Sequence, residues 1–76
     1  MQIASRRVQS LLKNDQTIEG AFTYTEKSAD PANPPEGSYT IWMSDGTGTG
    51  DDGDILIKIT AGGATKTATL VDFSAV

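Results

Sequence analysis

The chain contains no cysteine and no histidine. That excludes disulfide cross-links and leaves any metal site to oxygen ligands alone. It also removes the usual partners of a nucleophilic serine, and no recognisable base stands beside any Ser. A carboxylate pair for glycoside chemistry needs two acids at a fixed separation, which a glycine-rich loop does not provide. An enzyme is therefore not expected, and no cofactor is implied. Long apolar runs are missing too. Nothing approaches the roughly 20 residues that span a bilayer, and residues 1–7 lack the apolar core of a signal peptide. A soluble, unprocessed chain without a membrane partner is expected. Basic residues are few, and the net charge of -4 argues against general nucleic-acid affinity. Tyr39 and Trp42 alternate to opposite sides of their run with no lysine nearby, so they make no stacking platform for single strands.

What is present is a small chain with strand patterning. Its 76 residues make one domain at most. A chain of this size hides only about 60% of the surface its unfolded form exposes. Small proteins compensate with disulfides, structural metals or partner subunits. With the first absent and the second restricted, partner subunits are the expected remedy.

Charge is unevenly placed. Residues 1–14 hold Arg6, Arg7 and Lys13 with no acid, whereas residues 15–76 hold three lysines against all ten acids. Ala4, Val8, Leu11 and Leu12 follow the i, i+4, i+7, i+8 spacing of one helical face, so a helix is expected near residues 3–13. Being short, it needs something to pack against. Residues 17–25 (TIEGAFTYT) place Ile18, Phe22 and Tyr24 on one side of an extended chain, and a strand is expected near 18–25. Residues 26–37 carry Pro31, Pro34 and Pro35 among Asn, Asp and Ser, and form a connector. This connector is either an ordered extended crossing or a mobile hinge.

Three strand-like runs follow, at residues 38–44, 54–60 and 65–73, and the expected fold is mainly β with a short N-terminal helix. Gly62-Gly63 is a hairpin signal. Centring the turn there sets Thr60 opposite Thr65, Lys58 opposite Thr67, Ile57 opposite Ala68 and Ile55 opposite Leu70. Ile55, Ile57, Ala68 and Leu70 then share a dry face, while Leu56, Lys58, Thr67 and Thr69 share a mostly wet one. Trp42 and Leu56 make a smaller patch on that second side. The organisation expected is residues 1–14 as a helical arm, 15–37 as a strand and Pro-rich connector, and 38–76 as an antiparallel β module.

Two patterns in the loop at residues 45–53 resemble chemistry. Gly48, Gly50 and Gly53 match a dinucleotide fingerprint, but a strand rather than a helix follows, and Asp51 and Asp52 would repel phosphate. Asp45, Asp51, Asp52 and Asp54 are weak candidates for a hard cation. Counted as a calcium loop from Asp45, the twelfth position is Leu56 instead of a bidentate Glu. A solvated turn in which Asp side chains cap backbone amides is the plainer reading.

Pro34-Pro35-Glu36-Gly37, then Ser38-Tyr39-Thr40-Ile41-Trp42-Met43-Ser44, then the Asp/Gly loop and a hairpin closing on Thr69-Leu70-Val71, resembles small trimeric β modules of tailed-phage virion proteins. These occur in fibres, tailspikes and head-decoration proteins. The resemblance covers residues 33–73, although the loop at 45–53 is longer than the tight turn of such modules. It implies an intertwined homotrimer located in the virion, with capsid or tail proteins as partners. Ile41, Trp42, Ile55, Ile57, Leu70 and Phe73 are the expected interface. Arg6, Arg7, Val8, Leu11 and Leu12 are the expected attachment surface. Two other readings stay open: an adaptor that offers a sheet edge to a protein partner, and a calcium-dependent carbohydrate module that uses Trp42 and the Asp loop.

Overall fold

The computed structural model describes residues 17–76. The expected helix near 3–13 and its attachment residues lie outside the described residues. Three antiparallel strands form one open sheet in the order β1-β2-β3. They are β1 (Ser38–Met43), β2 (Ile55–Ala61) and β3 (Ala64–Val71). A short 3-10 turn at Phe73–Ala75 follows, capped by the Asp72 carboxylate, which accepts from the Ser74 amide. There is no α-helix among the described residues.

Gly62 and Gly63 separate the paired Ala61 and Ala64, with φ of +60° and +79°. A two-residue turn that follows the right-handed twist of the strands needs both signs positive, and only glycine adopts them without strain. The pairs Thr60–Thr65, Lys58–Thr67 and Ile57–Ala68 form as the pattern dictates. The last expected pair does not. Ile55 stands opposite Val71 because an irregularity between Ile55 and Leu56 inserts Leu70 as an extra residue.

The connector is an ordered crossing. Asp30 accepts from the Thr49 amide at 2.8 Å and from the Thr49 hydroxyl. The Pro31 carbonyl accepts from the Lys58 ammonium at 2.7 Å. Pro34 is buried. Glu36 ends the crossing by accepting from the Gly62 and Gly63 amides, each at 2.8 Å. The proline-rich segment thus runs from the Asp/Gly loop to the tip of the β2–β3 hairpin across one face of the sheet.

That face is the one expected to be wet. Trp42 and Leu56, paired across β1 and β2, are the buried hydrophobic residues of the described chain, at 4% and 1% exposure. Lys58, also on this face, reaches the connector and holds its ammonium 6.0 Å from the Trp42 ring centroid, within reach of a cation–π attraction. Its methylene stem adds to the cover while its charge is bonded. The aliphatic face stays open. Periodicity identifies which residues share a face, but the connector selects the face that is sealed.

Residues 17–26 form no strand, contrary to the expectation for 18–25. A strand needs a neighbour for its backbone groups, and among the described residues 17–27 it is Lys27 that finds one. It makes a parallel bridge to Ser44, donating to the Met43 carbonyl at 2.9 Å.

Candidate functional site

The open face carries Tyr39, Ile41 and Met43 on β1, Ile55, Ile57 and Ile59 on β2, and Ala68 on β3, aligned by the register. Tyr39, Ile41 and Ile59 are 65%, 43% and 42% exposed, and Met43, Ile55 and Ile57 are half-buried. Tyr24 folds back to line a shallow apolar hollow with Ile41, Met43 and Ile55. Isolated exposed aliphatics are ordinary; here the apolar side chains form a contiguous set across two adjacent strands.

The expected interface residues are only partly together. Ile41, Ile55 and Ile57 lie on this face, and Leu70 is exposed at the irregular end of β3. Trp42 is enclosed by its own chain and is not part of the surface. Phe73 lies away from the face, its ring against Gly53, where an added Cβ would stand 2.7 Å from the Phe73 Cγ. Tyr39 and Ile59 belong to the surface as well. Their signal was the simple i, i+2 continuation from Ile41 and Ile57.

Both sheet edges have open backbone groups. The Met43 carbonyl meets Lys27 on the outer side of β1, so Tyr39 and Ile41, in phase with it, direct their N–H and C=O the same way. On β3 the turn-closing pair Ala61–Ala64 bonds inward, which sends the groups of Thr65, Thr67 and Thr69 outward.

The Asp/Gly loop is built from its own carboxylates. Asp54, 6% exposed, accepts from the Asp51 amide through Oδ2 and from the Phe73 amide through Oδ1, both at 3.0 Å. Asp45 accepts from the Thr47 amide at 2.9 Å. Ser44, buried, receives the Gly46 amide on its hydroxyl and the Gly53 amide on its carbonyl. Asp51 and Asp52 are exposed, the latter beside Glu26. Among the described residues no group of three or more acids is placed to hold a metal. Trp42 offers no exposed ring for sugar stacking.

Two carboxyls near this loop titrate away from their ordinary values. Asp30 is held below its usual 3.8, first by the bond from the Thr49 hydroxyl, then by the Thr49 amide. Glu26 is raised above its usual 4.5 by partial desolvation, then by the charges of Asp52 and Asp45. The signs oppose. The Asp30 contribution to stability is present above 3.8 and lost as pH falls through its lowered value. The Glu26 contribution is complete below 4.5 and lost as pH rises through its raised value. Carboxyl-carbon NMR titration should place the two midpoints on opposite sides of these values. Thr49→Val should return Asp30 part of the way and leave Glu26 in place. An Asp30 midpoint that Thr49→Val does not move would contradict the assignment.

Comparison with protein-family models, with curated proteins and with solved structures finds no match to this chain.

Proposed function

We propose that this chain is a structural module of a tailed-phage virion, assembling as a homotrimer through the open aliphatic face. One observation carries the assembly reading: the connector crosses the Trp42 and Leu56 face, while Tyr39, Ile41 and Ile59 are left exposed on the other. At about 25 cal/mol per Å² of apolar area, covering a few such side chains per copy supplies stability that a lone sheet lacks. The three-fold count and the virion location rest on the resemblance of residues 33–73. In this reading residues 1–14 attach the module, with Arg6 and Arg7 meeting acids on a capsid or tail protein.

Native mass measurement at micromolar concentration should give a trimer. Ile57→Asp places a charge at the centre of the face, where burial without a partner is costly. It should reduce the mass to that of a monomer while leaving Trp42 enclosed. A well-folded wild-type monomer would overturn the proposal. It would favour the second reading, an adaptor that adds a partner's strand to an open sheet edge.

A further inference from the structure

Residues 17–25 have the composition of a strand and no strand partner among the described residues. Every residue from 17 to 30 is exposed, with Ile18, Phe22 and Tyr24 at 54%, 68% and 70%. Phe22 and Tyr24 already stack with ring centroids 6.4 Å apart. That separation fits side chains two residues apart on one side of an extended chain. Past a bend at Glu19 and Gly20, the Phe22 and Tyr24 stretch thus matches a strand's side-chain spacing without a strand's hydrogen bonds.

The outer edge of β3 has the complementary deficiency. It is eight residues long, and all but Thr65 are exposed. Lys66 is its only charge and it contains no proline, so the usual devices that keep an edge from pairing are nearly absent. The β1 edge is a poorer acceptor. Lys27 occupies its Met43 end, and the turn joining the Ser38 amide to the Pro35 carbonyl closes the other, leaving Tyr39 and Ile41 between.

We infer that residues 17–25 of one copy pair with the outer edge of β3 in a second copy, as a donated fourth strand. This deepens the assembly reading above and rests on it. Geometry excludes the same chain as donor. Lys27 is tied beside β1, and a strand outside β3 lies about 19 Å further across the sheet at roughly 4.8 Å per strand. The two residues from Thr25 to Lys27 reach at most about 7 Å. With Tyr24 released from the hollow it lines in its own chain, and Phe22 and Tyr24 continuing the open aliphatic face of the second copy, Thr23 falls on the connector side together with Thr65, Thr67 and Thr69. Each copy gives a strand and receives one, a head-to-tail contact that closes into a ring when the rotation allows.

The absence of native cysteine makes the test direct. A full-length chain carrying Thr23→Cys is mixed and refolded with a chain of different tag length carrying Thr65→Cys, Thr67→Cys or Thr69→Cys, then oxidised. A mixed disulfide dimer is expected with at least one of the three partners, whichever register is adopted, and it should be lost when Phe22→Pro is added to the donor. If native mass shows an oligomer and none of the three cross-links forms, strand donation is wrong while assembly stands. If the untreated chain is a monomer, both readings fall together.

Discussion

Leu56→Ala is expected to lower stability by about 2–5 kcal/mol, enough to unfold much of a chain this small. Leu56 is 1% exposed and pairs with Trp42 across the strands, so the lost methyl groups leave a void that little can refill. It also touches the loop: the space at Gly50 is bounded by a Leu56 methyl 3.0 Å from where a Cβ would stand. Trp42 is the only tryptophan, so its fluorescence reports the event without a label. Denaturant unfolding should show a reduced midpoint, together with a red-shifted emission under native conditions. An unchanged midpoint would mean that this pair is not the core. Ile59→Ala, on the open face, serves as the contrast, with a much smaller effect on the isolated fold.

Asp54→Ala should cost about 2–4 kcal/mol, which is large for a polar substitution. A single carboxylate holds two backbone amides, Asp51 and Phe73, and each bond to a charged acceptor contributes roughly 1.5–3 kcal/mol. Water can reach these part-buried amides, which keeps the total below the sum. Asp54→Asn retains one acceptor oxygen and should lose about half as much. Hydrogen exchange at the Asp51 and Phe73 amides separates this from general destabilisation. Both should exchange faster in Asp54→Ala by more than the general rise that lost stability gives to the amides of β2 paired to β3. Equal acceleration everywhere would count against a local role.

The β1, β2 and β3 strands were legible to within a few residues, because alternation and glycine turns are local properties. The hairpin register was legible as far as Ile57–Ala68. It failed at Leu70 because an inserted residue leaves no local mark in a run of strand formers. The segment at 17–25 misled for a related reason: β propensity states that a backbone suits a sheet, but pairing needs an edge, and the described residues bring none alongside it. What covers the Trp42 and Leu56 face was the larger miss. Ile55, Ile57 and Ala68 are more apolar than Lys58, Thr67 and Thr69, so hydropathy marked theirs as the dry face and left the other mostly wet, with no sign that the connector would close over it. The decision was taken by Asp30, Pro31 and Glu36, whose bonds reach 19 to 27 residues along the chain. Asp54 was similarly hidden. It was one acid among four of like appearance, and only the approach of Phe73 from the far end of β3 gives it its task.

The grip of Glu36 on both turn amides has a practical corollary for anyone wishing to display a foreign peptide. A tight glycine turn joining two strands is ordinarily the first position chosen for grafting, since lengthening it disturbs neither ladder. Here an insertion between Gly62 and Gly63 would separate the two N–H groups that the carboxylate spans and free the Glu36 end of the proline segment. A cargo carried beyond the 3-10 turn at Phe73–Ala75 would leave that fastening untouched.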